Sequence, residues 1–200
     1  MIRIALFGTS ADPPHQGHQA IMRWLSQAFD YVAVWAADNP YKTHQTPLVD
    51  RTAMLGLMIE EIQSPQRNLR LHLELSYGRS IFTIEQARQH WPDAAFTLVV
   101  GADIVRQLPH WYRSQDIFSQ VQILVIPRPG YPIEEDGLME LRQQGAKVEI
   151  ANVPETYDVS STEYRTSEET RGLPPAIQAY IDQNDLYSCQ ENSKEKLSTR

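Results

Sequence analysis

The chain is 200 residues long, 42% hydrophobic and 22% charged, with a formal net charge of -7, a composition that fits one folded domain of moderate size and excludes wholesale disorder. The acidic balance argues against an extended face for nucleic acid or an anionic membrane, which needs a basic excess. Cys189 is the only cysteine, so an intrachain disulfide and a cysteine-based zinc site are excluded.

Residues 2–7 form a short apolar run, which predicts a buried strand, ended by the turn-rich segment from Gly8 to Pro14. That start is too short for a signal peptide. From Gly17 to Phe29, the side chains of Ala20, Ile21, Trp24, Leu25 and Ala28 recur at helical steps. Residues 31–36 predict the next strand. Asp50 is placed to cap a helix over 51–62 that turns Met54, Leu55, Met58 and Ile59 inward. Residues 69–73 alternate with period two, and Ser80 is placed to cap a helix through Trp91. Residues 96–100 and 121–126 predict two continuous apolar strands, and 147–150 a weaker sixth. Leu173-Pro174-Pro175 opens a last helix, Ala176 to Asn184, with proline in its first turn. Residues 188–200 have no apolar period and read as a disordered tail behind one domain over 1–187. No apolar run approaches the ~20 residues of a spanning helix, so a soluble cytoplasmic protein is expected. Strands alternating with helices imply βαβ units and an α/β fold, a mainly parallel sheet with helices on both faces.

In such a sheet ligands bind beyond the carboxyl ends of the strands, near the point where strand order reverses. The loops after the first strand and after residues 96–100 are therefore the first places to look. In the first loop, His15 and His18 are three apart and share a face at a helix N-terminus, whose free amides and dipole favour an anion. Two imidazoles would add donors to phosphate; the alternatives are a helix cap with two surface histidines, or a metal pair. In the second, Gly101-Ala102-Asp103 suits close approach of a nucleoside, with the acid on ribose hydroxyls, unless Asp103 is a plain cap. Trp111 and Tyr112 offer faces for a flat ring, or are partial core. A third cluster sets Ser160, Ser161 and Thr162 before a helix carrying Arg165. It reads as a second phosphate cradle, or as a hydroxyl cap whose arginine pairs with acidic neighbours. Residues 134–185 hold 12 acidic and 4 basic side chains, whereas residues 1–133 hold 11 of each. Arg165 is thus one of few cations in an acidic stretch, whose carboxylates are expected to face solvent away from it.

These clusters, in this order, resemble the nucleotidyltransferase superfamily with the H-x-G-H motif, here His15-Gln16-Gly17-His18, and within it the bacterial nicotinate-nucleotide adenylyltransferases. Asp12-Pro13, His15 and Gly17-His18 match the family's opening loop, Gly101-Ala102-Asp103 with Trp111-Tyr112 its G-x-D…W-Y segment, and Arg128-Pro129-Gly130-Tyr131 its segment after the next strand. Ser160-Ser161-Thr162 with Arg165 is similar to its S-S-T-x-x-R motif, and residues 175–187 to its closing helix. Thr9 replaces the family's second glycine, Ser10 and Ala11 stand where threonine and an aromatic are usual, and Asn39-Pro40-Tyr41-Lys42 keeps the lysine but not the histidine of a P-P-H-[KR] segment. The resemblance implies a Rossmann-like, doubly wound fold with a C-terminal helical segment. It implies adenylyl transfer from ATP to nicotinate mononucleotide, with Mg²⁺ carried by ATP. His15, His18 and Arg165 would be catalytic. Gly8, Ser10, Gly17, Gly101, Asp103, Ser161 and Thr162 would join them in holding ATP, and Thr9, Lys42, Thr83 and Trp111 would hold the acceptor. No nucleic acid, membrane or protein-held metal is expected, and a homo-oligomer stays open. So do a preference for nicotinamide mononucleotide, the related pantetheine-phosphate adenylyltransferases, and a nucleotide-binding regulator without turnover.

Overall fold

The computed structural model describes residues 1–39, 42, 45–62, 64–154, 159–167 and 172–187. Six strands, β1 (Arg3–Thr9), β2 (Tyr31–Ala36), β3 (Leu69–Leu71), β4 (Ala95–Gly101), β5 (Val121–Ile126) and β6 (Lys147–Ile150), pair in the order β3-β2-β1-β4-β5-β6. Every pairing is parallel, as an alternation of strand and helix demands when each crossover runs back over a sheet face. Seven helices are described: α1 (Gln16–Ala28), α2 (Leu48–Glu61), α3 (Ser80–His90), α4 (Ser114–Gln120), α5 (Glu135–Gln143), α6 (Ser161–Ser167) and α7 (Pro175–Gln183). None of them is long and apolar enough to cross a membrane.

Strand pleat divides the core in two. Ile4 and Leu6 of β1 point to one face, packing with Ile81 and Ile84 of α3, Phe118 of α4 and Leu141 of α5. Ala5 and Phe7 point to the other, packing with Leu25 of α1, Met54 and Met58 of α2, and Ile177 and Ile181 of α7. Both faces are buried, which is why the central strands read as continuous apolar runs and not as alternating ones.

The elements differ from the expectations at their ends. Strand β3 stops at Leu71; His72 makes one more bond, its amide to the Val34 carbonyl at 2.8 Å, and residues 73–75 form a 3₁₀ turn that buries Leu75 and leaves Leu73 62% exposed. A single-edge strand has too few partners to continue the period-two pattern. Asp50 does not cap α2: the helix starts at Leu48 with Pro47 in the capping place, and Asp50 accepts a hydrogen bond from Tyr180 at 3.0 Å. Ser80 is itself the first residue of α3, and no side chain caps that helix. Helices α4 and α5 are too short to announce themselves by period, and the 3₁₀ helix at 102–110 was not expected although Ile104, Val105 and Leu108 share one face. The expected tail at 188–200 lies outside the described residues.

Candidate active site

An open cavity of about 910 Å³ lies at the carboxyl ends of the strands, where the strand order reverses between β1 and β4. The first loop and α1 give it Gly8, Thr9, Ser10, His15, Gly17 and His18; β4 and the 3₁₀ helix give Gly101, Asp103 and, just beyond, Trp111. Lys42, Thr83, Ser161, Thr162 and Arg165 complete the wall. Three segments far apart in sequence thus converge on one space.

The histidine pair is built locally. His15 caps α1: its Nδ1 accepts the Gly17 amide at 3.1 Å, and His18 Nδ1 accepts the His15 amide at 3.2 Å. A ring nitrogen that accepts a backbone N–H carries no proton, so in each neutral imidazole the proton sits on Nε2. Neither Nε2 has a protein partner among the described residues. Burial lowers the His15 pKa to about 4, helped by the Arg128 charge. Burial likewise holds His18 well below the usual range, with His15 and Arg128 adding to it. The ring centroids are only 4.0 Å apart, and two imidazolium ions at that spacing would repel strongly. Gly17 permits this arrangement, since a Cβ there would sit 2.9 Å from His15 Cε1. One expectation changes. The amides opening α1 are not free for an anion, because Gln16 bonds the Gly172 carbonyl at 2.8 Å, Gly17 the His15 ring, and His18 the His15 carbonyl at 2.9 Å. The donors offered to the cavity are the two Nε2–H groups.

The Ser161–Arg165 arm is built from a distance. Ser161 Oγ donates to the Pro13 carbonyl at 2.8 Å, and Arg165 donates from Nη1 to the Asp12 carbonyl and from Nη2 to Thr162 Oγ1 at 3.3 Å. Arg165 Nη1 also lies 3.9 Å from Asp12 Oδ2, and Ser160 Oγ accepts the Glu163 amide at 3.1 Å. The hydroxyl cap and the acidic pairing are therefore both present, yet the arm still lines the cavity. No described residue of the acidic stretch 134–185 puts a carboxylate into this cavity, whose acids are Asp38 and Asp103.

Asp103 turns one carboxylate oxygen to Arg128 at 3.2 Å and folds the other over Gly101. A Cβ at Gly101 would lie 2.3 Å from that second oxygen, so a larger residue there would make the Asp103 carboxylate turn away. Gly8 is required by Trp35, whose indole would meet a Cβ at 2.5 Å. Across the cavity Lys42 Nζ donates to Ser10 Oγ at 2.9 Å. Its pKa is lowered by burial first and then by the Arg165 charge. Pro40 and Tyr41 of the same motif lie outside the described residues. Thr9 ends β1 and accepts the Ala37 amide at 2.7 Å. Thr83 is 1% exposed and spends its hydroxyl proton on the Leu75 carbonyl at 3.0 Å, so it offers an acceptor's polar groups no proton. Trp111 packs half-buried against the core and shows the rest of its indole to the cavity.

Four residues of consequence carried no role in the sequence reading. Arg128 faces the cavity, paired with Asp103. Arg79 stands at the rim with its guanidinium 4.1 Å from the centroid of the Tyr112 ring. Arg51 lies buried behind the loops, and Tyr187 donates to the buried Asp12 carboxylate at 2.7 Å. For Arg128, inside the Arg-Pro-Gly-Tyr match, and Tyr187, inside the closing-helix match, there was a signal; for Arg51 and Arg79 there was none.

A reversed-order parallel sheet with an imidazole-lined switch-point cavity defines a nucleotide-binding α/β protein, and comparison with known proteins makes that class specific. The cytidylyltransferase-like family profile matches residues 6–167. Among relatives, a probable nicotinate-nucleotide adenylyltransferase of Synechocystis sp. is 42% identical over 200 residues, spanning 93% of this chain and 99% of its own. The nicotinate-nucleotide adenylyltransferase of Bacillus subtilis is 27% identical over 198 residues, spanning 94% and 99%. The nicotinic acid mononucleotide adenylyltransferase of Plasmodium falciparum, solved with NaAD, shares the fold at a TM-score of 0.80 and 18% identity, over 94% of this chain and 98% of that one. The chain belongs to the cytidylyltransferase-like family and, within it, to the nicotinate-nucleotide adenylyltransferases.

Proposed function

We infer that this enzyme transfers the adenylyl group of ATP to nicotinate mononucleotide, releasing pyrophosphate and forming deamido-NAD, a step of NAD synthesis. The observation that carries the reading is the pair of neutral Nε2–H donors facing one cavity with Asp103, Lys42 and Arg165. The acceptor is a phosphate monoester with a second pKa near 6, hence largely ionised at neutral pH. It needs no general base and no enzyme nucleophile. An acceptor phosphate oxygen attacks the α-phosphorus in line, the new P–O bond forms, and the α–β bridging oxygen departs with the bonding pair as pyrophosphate. The protein's task is to position two anions and to stabilise charge as it shifts onto the leaving oxygens.

His15 and His18 donate to the ATP phosphates, and they do so as neutral groups that need no proton from solvent. Arg165, with Ser161 and Thr162, serves the outer phosphates. To reach them Arg165 exchanges its Asp12 and Thr162 contacts for phosphate oxygens, a swap that the bidentate guanidinium favours. Asp103 accepts from the adenosine ribose beside Gly101. Lys42 meets the acceptor phosphate near Ser10 and Thr9, and Trp111 stacks on the pyridine ring above Thr83. The divalent metal is magnesium, brought with ATP. Asp103 is already paired with Arg128, so this carboxylate would leave such an ion to the nucleotide and water, and the ion would supply charge neutralisation for the phosphates. We place the reaction in the cytoplasm.

Pyrophosphate release with ATP and each acceptor in turn tests this. A higher kcat/KM with nicotinate mononucleotide is expected. A preference for nicotinamide mononucleotide would reassign the acceptor, and tight ATP binding without turnover would make the protein a nucleotide sensor.

A further inference from the structure

Arg51, near the start of α2, is 2% exposed, and no carboxylate partners it among the described residues. A buried guanidinium without a counter-ion is costly unless its donors are satisfied, and here three of its five N–H groups bond backbone carbonyls. Nε donates to Thr46 at 2.8 Å, and Nη1 donates to Ser10 at 3.0 Å and to Ala37 at 2.8 Å. Those carbonyls belong to three segments: the loop after β1, the residue just after β2, and the approach to α2. Ala37 and Thr46 flank Lys42 in sequence, and Ser10 is the residue whose hydroxyl Lys42 holds at 2.9 Å. One side chain therefore ties both flanks of the Lys42 segment to the backbone of Lys42's own partner. Ser10 and Ala37 also line the cavity, whereas Arg51 does not.

We propose that Arg51 is the positioning residue of the acceptor-phosphate subsite, holding Lys42 and Ser10 in register while its charge adds to the field that draws the acceptor anion. This rests on the adenylyl-transfer reading above. The fork is essential to it, because three carbonyls in different directions match a planar guanidinium and not a single ammonium. The field argument follows from burial: a charge in a low-dielectric setting acts across the loop more strongly than one in water. Lys42 feels it, though Arg51 is the smallest of five influences on its pKa, behind burial and Arg165, which lower it, and Asp103 and Asp12, which raise it.

The test compares Arg51→Lys, Lys42→Met and the double variant in steady-state assays with ATP and nicotinate mononucleotide. Arg51→Lys is expected to raise the acceptor KM by about tenfold or more while the ATP KM stays within about twofold. If Arg51 acts through Lys42, the double variant loses little more acceptor affinity than Lys42→Met alone, a non-additivity expected of coupled residues. Equal losses for both substrates, or fully additive losses, would overturn the proposal and leave Arg51 a general structural residue. The unsubstituted enzyme gives a second reading should Arg51→Lys fail to fold. Its Arg51 Nε–H resonance should move when nicotinate mononucleotide is titrated and stay put with a nonhydrolysable ATP analogue alone; indifference to the acceptor would refute the role. A wild-type enzyme that forms no deamido-NAD would instead defeat the activity itself, so the two failures are distinct.

Discussion

The histidine pair and the Ser161–Arg165 arm face the same cavity but are assembled by contacts of opposite range. The His15 ring is held by the Gly17 amide two residues on and the His18 ring by the His15 amide three residues back, inside a single helix start. Ser161 reaches Pro13 across 148 residues and Arg165 reaches Asp12 across 153, and those bonds exist only once the whole sheet has folded. The histidines keep their Nε2–H groups free, whereas the arm has committed the Ser161 hydroxyl proton and one Arg165 N–H to the loop and a second Arg165 N–H to Thr162. One cradle is ready before ATP arrives, and in the proposed mechanism the other trades some protein contacts for substrate contacts. A ready donor lowers the barrier without reorganisation at the moment of reaction, while a traded one contributes mainly to binding.

The largest effect that could break this contrast is on turnover. His18→Ala should lower kcat by about 10²- to 10³-fold, with the ATP KM changed by only about threefold or less, the pattern for a donor that acts chiefly in the transition state. It should also cost about 1 kcal/mol of stability through loss of the reciprocal cap, read from denaturant unfolding. Near-normal turnover in a folded variant would remove His18 from the chemistry. A smaller effect is expected at the arm: Arg165→Ala should raise the ATP KM about tenfold and lower kcat less than His18→Ala does. A kcat loss matching that of His18→Ala would mean the two cradles act alike.

The smallest expected effect is at neutral pH, where the histidines should not titrate at all. His15 is held at about 4, against an ordinary value of 6.5, so the unfolded chain takes up a proton on this residue before the folded one does. The stability contributed by keeping the ring neutral is complete above pH 6.5 and is lost as the pH falls from there through about 4. The imidazole ¹⁵N shifts of His15 and His18 should show the Nε2–H tautomer unchanged between about pH 6 and 8, the range in which an ordinary histidine responds. An imidazole titrating near 6.5 would mean that the capping geometry does not set its proton.

The same contrast marks what could be read without coordinates. β2 and β5 fall on the expected residues because buried parallel strands are written as apolar runs, and the weaker β6, an exposed edge strand, also keeps its expected bounds. The meeting of His15-Gln16-Gly17-His18 with Gly101-Ala102-Asp103 was legible because ligand loops follow strands at a predictable place in this topology. Element ends, the helices α4 and α5, and the true start of α2 were not, since neighbours and not local pattern decide them.

The sequence by itself determined the alternating α/β architecture, the pairing of His15 with His18 at a helix start, and the residue types a phosphate-binding cavity needs, because each depends on spacings of a few residues. Only the tertiary structure decided that the α1 amides are occupied, that Thr83 has spent its proton, that Tyr187 and Arg165 converge on Asp12, and that Arg51 ties three loops together. Those are bonds between segments that meet only in the fold. Buried polar groups must find partners there, and nothing in the order of the residues says which partners those will be.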